Sequence, residues 1–572
     1  MSTPREGEVR PHFGGEWHAE STENTREACE CESVDSHTML ARELGLSVQY
    51  ERQVALMNKA IKEEIGFGPF QIKLALLAGF GWFADNIWFG ALSVSLTRFT
   101  REFGEEHVGM STFSLYVGLL IGSTFWGFAS DVIGRRPSWN ITLFLTAVFA
   151  IAVGGAPNFA AAAALVGCLG LGLGGNLPVD GAVLIEFIPG THQWIVTFLS
   201  LFWCLGQLFS SLIAWAFIPN FNCGEKGPCP RSENMGWRYM WFLLGGVTML
   251  MWFIRFFVYP IPESPKYLLA MKRAEEAMDV LHFIAKENHK STSLTLEKLQ
   301  HVGLGRTEVL AEPSGQSTEL DVEKKAEEDA ANTYAHPIRR MRRPTAMEWG
   351  ASLSPRRIRE ALSVMQQSPI SALFASRKMA LNTSLICICW GLVGLAYPLF
   401  NSFIAVYLKQ KSDVSSEPTS VSEQYRQLVI IAVCGIPGSL IAAAMVDLPY
   451  AGRRGSMALF TCLTGVFLYL FTTATTPDAV LGWSCAVSLT QNAMYAVLYA
   501  ITYEVFPAPQ RGTGDGLAMS TQRVFGVAAP LIATYASKDQ PNTPIYVSGA
   551  MFLASAIVMM FLPYEPRGKD AL

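Results

Sequence analysis

Three ionisable side chains lie deep inside long apolar stretches of the chain: Asp85, Asp180 and Arg523. A charge in such a place is energetically unfavourable, so each one needs either a function or a partner. A buried carboxylate can take up and release a proton, and a guanidinium can bind an anion. Asn176 precedes Asp180 by one helical turn, so these two side chains can face the same space.

Each of these charged residues also has a structural alternative. Asp85 is either a proton acceptor or a hydrogen-bond partner of neighbouring helices. Asp180 either serves a cationic solute or a proton, or has the same structural role as a hydrogen-bond partner. Arg523 either binds an anionic group or forms an ion pair with one of the two aspartates. Both alternatives stay open for each residue at this point.

Amide and aromatic side chains form a second group of candidates. Gln491, Tyr495 and Tyr499 recur every four residues, which places them on one face of a helix. Amide and phenol groups of this kind orient small polar ligands, and they also join helices by hydrogen bonds. Further candidates of the same residue types are Gln207, Tyr397 and Asn401.

The composition excludes several classes of function. Half of the 572 residues are hydrophobic and only 16% are charged, whereas globular proteins carry about 25% charged residues. A net charge of −4 provides no basic surface for nucleic acid. No spacing typical of a metal site, a phosphate-binding loop or a nucleophile–base pair occurs. The sequence therefore predicts a protein that is not an enzyme and that has no metal site or cofactor.

Twelve apolar segments position these candidates. Because about 20 apolar residues cross a bilayer as a helix, the chain is predicted to be an all-α membrane protein with twelve transmembrane helices in two six-helix bundles. The segments are 72–97, 110–130, 138–155, 160–188, 193–218, 237–259, 380–408, 426–446, 456–474, 478–505, 516–536 and 543–563.

Polar sequence surrounds the two sets of segments. We predict a disordered tail (1–65) with a short amphipathic helix near 53–64, a first bundle (66–263), a central loop (264–378), a second bundle (379–566) and a short tail (567–572). Lys and Arg cluster on one side of this topology, which predicts that both termini and the central loop are cytoplasmic. Cys223 and Cys229 bracket a loop on the opposite side, where a disulfide is one of two open alternatives.

Two charged turns lie between apolar segments. The first has the spacing Gly-x-x-x-Asp131-x-x-Gly134-Arg135-Arg136, and a degraded second copy contains Asp447, Arg453 and Arg454. This spacing resembles the loop between helices 2 and 3 of the major facilitator superfamily, a family of secondary transporters. Glu186-Phe-Ile-Pro and Glu504-Val-Phe-Pro repeat in the same way, which indicates two related halves.

Other motifs narrow the resemblance. Pro262-Glu-Ser-Pro resembles the end of the sixth helix in sugar-porter-like members. The run from Gly174 to Pro178, and Glu504-Val-Phe-Pro followed by Arg511-Gly, are similar to the synaptic-vesicle-protein-like and organic-ion-transporter-like branch. One departure is Gln193, which stands where a counterpart of Arg511 is expected. We therefore expect a weaker charged contact in the gate of the first half.

The resemblance implies a secondary transporter that works by alternating access. It implies that the charged turns, with Glu186, Glu504 and Arg511, form gate contacts in one access state and break them in another. The expected solute is a small polar organic molecule (a sugar, an organic acid or ion, or a metabolite). Coupling to protons through Asp85 or Asp180 is a hypothesis.

We expect a lipid bilayer, a small-molecule substrate and protons as partners, no nucleic acid, and a plasma membrane rather than an organelle membrane. The alternative is a non-transporting receptor or sensor on the same fold.

Overall fold

A computed structural model of the chain describes residues 48–104, 109–192, 194–223, 229–303, 358–359, 369–404, 407–408, 420–446, 452–506, 510–536 and 542–563. Several predictions therefore concern residues outside this description. They are the structure of most of the N-terminal tail, of most of the central loop and of the C-terminal tail, and the positions of Gln193 and Asp447.

Twelve long helices form two sets of six in the described residues. The first part of the chain contains α1 (Val48–Lys59, continued by a π-helical turn Ala60–Ile65), α2 (Pro69–Phe103), α3 (Gly109–Ile133), α4 (Arg135–Gly154), α5 (Phe159–Phe187), α6 (Trp194–Phe217) and α7 (Gly236–Val258). Three shorter helices follow: α8 (Pro265–Ala270), α9 (Ala274–Glu287) and α10 (Leu296–Gly303). The second set is α11 (Arg377–Asn401), α12 (Val421–Met445), α13 (Gly452–Thr473), α14 (Pro477–Val505), α15 (Arg511–Ala536) and α16 (Thr543–Met560).

Nine of these helices, among the described residues, are long and apolar enough to cross a membrane. The three long helices that are less apolar are α2, α14 and α15. They carry half of the ten polar candidates for the solute site, including Asp85, Gln491 and Arg523. The predicted all-α membrane fold is confirmed, and the three less apolar helices contribute several of the polar groups in the interior.

Local sequence explains where several of the helices begin. The side chains of Asn158, Ser376, Ser420 and Thr476 each accept a hydrogen bond from the backbone amide three residues later. Such caps satisfy amide groups that the first turn leaves without a partner. Instead, α4 begins directly after Gly134 (φ 105°) and α13 begins at Gly452 (φ 56°), and glycine adopts these conformations most easily.

The two sets of helices pack with the same pattern. In the first half, α2 packs on α6, α3 on α5, α4 on α5, and α4 on α7. In the second half, α11 packs on α15, α12 on α14, α13 on α14, and α13 on α16. The halves meet mainly through α3 against α15 and α6 against α12, which are equivalent pairs in the two repeats. The structure therefore contains two related bundles and one interface between them.

The two ends of the bundle differ in composition. We call the end that contains Gly134, Arg135 and α8 to α10 the basic end, and the end that contains Cys223 and Cys229 the disulfide end. At the basic end α1 packs on α10 and α8, and Gln53 Nε2 donates to the Leu299 carbonyl at 3.2 Å. At the disulfide end Cys223 and Cys229 are joined by a disulfide.

Candidate functional site

Asp85 and Asn176 meet in the interior of the first half. Asp85 lies sixteen residues after the first residue of α2, about 24 Å along the helix. Asn176 of α5 donates from Nδ2 to Asp85 Oδ1 at 3.3 Å, and both side chains are fully buried. Asp85 Oδ2 has no hydrogen-bond donor among the described residues. A buried carboxylate with one oxygen left open can hold a proton on that oxygen.

Arg523 extends from α15 towards the same region. Its guanidinium carbon lies 5.6 Å from the ring centre of Phe89 and 5.9 Å from that of Tyr116. Its Nε has no acceptor among the described residues, yet its charge acts electrostatically on Asp85. Arg523 forms no direct ion pair with an aspartate among the described residues, and the binding of an anionic group by Arg523 stays a prediction.

Six aromatic side chains from both halves pack against one another, and one of them, Trp82, lies one helical turn before Asp85 on α2. They form edge-on or stacked contacts with ring centres 4.7 to 6.0 Å apart, the shortest being between Trp390 and Tyr499. We call this group the aromatic cage; its members are Trp82, Trp203, Trp390, Tyr397, Tyr495 and Tyr499. The polar-aromatic face predicted on α14 thus lies inside the protein, at the interface between the halves.

A polar cleft adjoins the aromatic cage on the side of the disulfide end. Its empty space is about 500 Å³, including the part that is continuous with solvent. Asn86, Ser93, Gln207, Tyr397 and Asn401 are among the residues that line it. Within this region Asn401 Nδ2 donates to Gln491 Oε1 at 2.7 Å. The cleft brings amide and hydroxyl groups from both halves next to aromatic rings, which is typical of a site for a small polar ligand.

Asp180 does not share the arrangement of Asp85. Its Oδ1 lies 3.2 Å from Nη2 of Arg255 on α7, and both side chains are fully buried. Arg255 also donates to the carbonyl groups of Leu77 and Trp139 at 2.6 and 3.1 Å. Its guanidinium carbon lies 4.0 Å from the ring centre of Trp139. The pair therefore joins α2, α4, α5 and α7 inside the first half.

Sequence reasoning missed Arg255 and Trp203. Arg255 lies near the end of its apolar segment, where a basic residue normally reaches the polar edge of a membrane. The helix instead widens into a π-helical turn at Ile254–Val258, and the arginine is fully buried. Trp203 carries no charge and belongs to an aromatic type that is frequent in such segments, so only its contacts reveal its place in the cage.

The gate residues predicted in the first half are clustered at the basic end. Arg135 contacts Asp131 and donates from Nε to Glu186 Oε1 at 3.2 Å. The backbone amide of Arg135 donates to Glu263 Oε1 at 2.9 Å, and the amide of Arg136 also contacts this carboxylate. These amides lie at the start of α4, where a negative charge is favoured. The pKa of Glu263 is nevertheless raised, mainly because the carboxyl group is removed from water.

Contacts across the interface complete this cluster. Asp131 Oδ2 accepts hydrogen bonds from the backbone amide and the hydroxyl group of Thr513, at 2.7 and 2.6 Å. Arg511 Nη1 lies 3.5 Å from Glu186 Oε1. The first turn of α15 thus binds a carboxylate of the other half with its amide, as helix N-termini do. We call Asp131, Arg135, Glu186, Arg511 and Thr513 the gate cluster.

The second half has a simpler charged contact at the basic end. Arg453 binds Glu504 through two nitrogen–oxygen contacts of 2.7 and 2.9 Å. Arg454 donates to the Leu562 carbonyl at 2.9 Å, which ties the start of α13 to the end of α16. Arg135 with Glu186 and Arg453 with Glu504 are therefore equivalent pairs within the two repeats.

The chain is similar in sequence to known transporters over nearly its whole length. A family model described as Sugar (and other) transporter matches residues 74–303, and the Major Facilitator Superfamily model matches residues 379–572. The "MFS siderochrome iron transporter 1" of Ceriporiopsis subvermispora is 42% identical over 529 residues, covering 92% of this chain and 93% of that protein. The "Organic cation/carnitine transporter 7" of Arabidopsis thaliana is 28% identical over 523 residues, covering 88% and 94%.

A solved structure has the same fold. The proton:xylose symporter XylE, bound to 6-bromo-6-deoxy-D-glucose, superposes with a TM-score of 0.62 at 16% sequence identity. The match covers 88% of this chain and 97% of XylE. At this identity the likeness concerns the arrangement of the helices. It agrees with the repeated packing of the two halves described above.

Proposed function

The chain belongs to the major facilitator superfamily, and from that premise we propose that it is a proton-coupled transporter of a small polar organic solute. The solute site is the polar cleft together with the aromatic cage, and Asp85 is the coupling residue. The basic end faces the cytoplasm, because basic residues are retained on that side of a membrane. The disulfide at the other end fits an oxidising exterior, so we place the protein in the plasma membrane.

The lining of the site supports a solute with a ring or another flat apolar face and several polar groups. The ring of Tyr397, a member of the cage that lines the cleft, offers such a face, and the amides of Gln207 and Asn401 offer donors and acceptors. Arg523 provides an attachment point for an anionic group. The relatives carry names that refer to an iron chelate, an organic cation and a sugar. The common chemistry is a small polar organic molecule.

The observation that carries the coupling proposal is the open carboxylate oxygen of Asp85. The side chain is fully buried and has a single described hydrogen bond, so a proton on Oδ2 removes a charge that the interior stabilises poorly. Arg523 then loses the compensating negative charge and is free to attract an anionic group. Proton binding at Asp85 and solute binding at Arg523 thereby favour each other, which is the requirement for coupled transport.

Substitution of Asp85 by asparagine tests this function. In proteoliposomes with an imposed pH gradient, we expect Asp85→Asn to abolish uphill accumulation of solute and to retain part of the exchange between labelled and unlabelled solute. The panel of solutes contains hexoses, aromatic carboxylates and organic cations. Asp478→Asn is the matched control, because Asp478 is exposed in the first turn of α14. Accumulation by Asp85→Asn that equals the wild type at every pH would refute the assignment.

A further inference from the structure

Asp515 is a buried carboxylate that the gate cluster does not use. It lies in α15, one turn after Arg511, and its side chain is fully buried. Neither carboxylate oxygen has a hydrogen-bond donor in the part of the chain that the structure describes. No motif in the sequence points to it. An ionised carboxylate without donors is energetically unfavourable in such a place, so its protonation state needs an explanation.

Charged groups from four helices act on Asp515. They are Arg511 of its own helix, Asp131 at the end of α3, Arg135 at the start of α4, and Glu186 near the end of α5. The phenol of Tyr503 on α14 also interacts electrostatically with Asp515. From α1, Tyr50 interacts with Glu186, Arg511 and Arg135. Asp515 therefore belongs to the same electrostatic environment as the gate cluster.

The buried charges in this environment do not balance. Asp131, Glu186 and Asp515 are three buried carboxylates, whereas Arg135 and Arg511 are two buried guanidiniums. Asp131 is bound by Arg135 and Thr513, and Glu186 by Arg135 and Arg511. Glu263 accepts hydrogen bonds from the backbone amides of Arg135 and Arg136 at the start of α4 and from the amide of Ser264, and its charge also acts on Arg135. Among these described groups the carboxylates therefore outnumber the guanidiniums by one when all three are ionised, and Asp515 is the carboxylate that has no described hydrogen-bond donor.

We propose that Asp515 is a proton-binding site of the gate, protonated when the basic end is closed and deprotonated when that end opens. Opening admits water, which accepts the proton from the Asp515 carboxyl group and solvates the carboxylate that remains. Closing returns one proton from the cytoplasmic side. This proposal depends on the proposed transport function and on its orientation, but not on the role of Asp85.

A proton fits this site better than a metal ion. The described residues contain no group of three or more His, Cys, Asp or Glu side chains suited to a metal. Both oxygens of Asp131 and Oε1 of Glu186 are already bound by arginines or by Thr513. The positive charge of Arg511 also repels a cation. A proton requires no further ligand and no additional space. It also restores neutrality with a single positive charge.

The proposal gives a definite dependence of the gate on cytoplasmic pH. The closed gate binds one more proton than the open gate, so the ratio of open to closed protein rises with pH. When one proton is linked to opening, the ratio of open to closed protein changes by at most about tenfold per pH unit. Low cytoplasmic pH therefore keeps the basic end closed. Asp85 is not among the charged groups that act on Asp515, so it is not part of this equilibrium.

Spin labels on the two halves can measure this equilibrium without solute or transport. Lys73→Cys on α2 and Gly455→Cys on α13 place labels at the basic end, where Lys73 is exposed and an added side chain at 455 meets open space. Cys168 and Cys462, which are exposed free thiols, are replaced by serine, and so are Cys29 and Cys31 of the N-terminal tail, so that the label reacts at the two introduced cysteines. The purified full chain is measured between about pH 5.5 and 8.5.

We expect the wild type to show a growing long-distance population as pH rises, with a slope approaching tenfold per unit. Asp515→Asn removes the titrating group, so its distance distribution is independent of pH and remains in the short, closed form. Asp515→Glu keeps a titrating carboxyl group and keeps the response. A pH-independent wild type, or a response that persists unchanged in Asp515→Asn, would overturn the proposal.

Two further variants test whether another carboxylate, Glu51 or Asp85, causes the pH response instead of Asp515. Glu51→Gln removes the buried carboxylate of α1, so the pH response of the distances should stay as in the wild type. Loss of the response would assign it to Glu51 and overturn the proposal. Asp85→Asn should lose uphill accumulation and keep the distance response. If the proposed transport function is wrong, the proteoliposomes accumulate no solute in response to a pH gradient. If the gate proposal is wrong, only the distance between the spin labels at residues 73 and 455 fails to respond as expected.

Discussion

The interface between the two halves is closed differently at its two ends. At the basic end, charged groups cross from one half to the other: Arg511 reaches Glu186, and Asp131 binds the first turn of α15. At the disulfide end, the described contacts across the interface are neutral. Trp215 Nε1 donates to Ser422 Oγ at 2.9 Å, and the Tyr425 hydroxyl group contacts the Val94 carbonyl at 3.4 Å.

Glycine packing follows the same division. At the basic end Gly127 of α3 and Gly516 of α15 approach so closely that a Cβ on Gly516 would lie 2.8 Å from the Gly127 Cα. Towards the disulfide end, the halves leave the polar cleft between them. The structure therefore represents a state that is closed at the basic end and has its cleft towards the disulfide end. Charged groups thus join the two halves at the basic end, whereas the described contacts between the halves at the disulfide end are neutral.

Among the variants considered, loss of Arg511 should destabilise the closed basic end most. Arg511→Gln breaks the ion pair across the interface and leaves three buried carboxylates with one guanidinium, so we expect the closed basic end to lose about 3–5 kcal/mol. The spin-label pair at residues 73 and 455 should report mainly the long distance, even at low pH.

The control for this variant lies at the disulfide end. Arg426 forms an exposed ion pair with Glu423 on the same helix, and Arg426→Gln should change stability by no more than about 0.5 kcal/mol. Its distance distribution at the basic end should match the wild type. If both variants behave alike, charge does not distinguish the two ends.

A methyl group added where α3 and α15 touch should also destabilise the closed basic end, but less than the loss of Arg511 does. Gly516→Ala introduces a methyl group against Gly127 and the Ser123 carbonyl only when the basic end is closed. We expect a cost of about 1–3 kcal/mol to the closed form and a larger long-distance population. Gly482→Ala on α14 meets open space and is the control. An unchanged distance distribution in Gly516→Ala would show that α3 and α15 can separate without opening the gate.

Helix α1 covers part of the basic end, where it packs on α8 and α10. Glu51 is 6% exposed, and removal of its carboxyl group from water raises its pKa from 4.5 to about 7. Because the neutral form is favoured when α1 is docked, this contribution to docking is fully present below about pH 4.5 and is lost as pH rises through about 7.

Amide hydrogen exchange measures this effect. Protection of residues 48–65, corrected for the intrinsic pH dependence of exchange, should fall between about pH 6 and 8 in the wild type. Glu51→Gln should remain protected across this range, because its side chain cannot ionise. Equal loss of protection in both proteins would mean that another group controls the docking of α1.

Much of the fold could be predicted because its signals are local. A run of about 20 apolar residues has few structural outcomes, so the segment around Gly109–Ile133 is recognisable without knowledge of its neighbours. The turn with Asp131, Gly134 and Arg135 is also local: glycine permits the backbone turn, and its charges mark the end of a helix. The family predicted from these residues is confirmed by the sequence relatives.

The candidate site was harder to predict because charges at helix ends look alike in sequence. Arg255 and Arg511 both lie near the ends of apolar segments, yet one pairs with Asp180 inside the first half and the other crosses to the opposite half. Asp515 falls just before the predicted segment 516–536, where it resembles an ordinary solvated residue. The structure extends this helix back to Arg511 and buries Asp515 among the gate charges.

The sequence by itself determined the helical membrane fold, the two related halves, the charged turns and the presence of a few carboxylates in apolar surroundings. Apolar length and turn chemistry are properties of neighbouring residues, so they can be recognised along the chain. Only the tertiary structure decided that Asp180 is paired with Arg255, and that, among the described residues, Oδ2 of Asp85 and both carboxylate oxygens of Asp515 have no hydrogen-bond donor. These facts depend on which distant helices meet, because electrostatic and hydrogen-bond partners are set by separation in space.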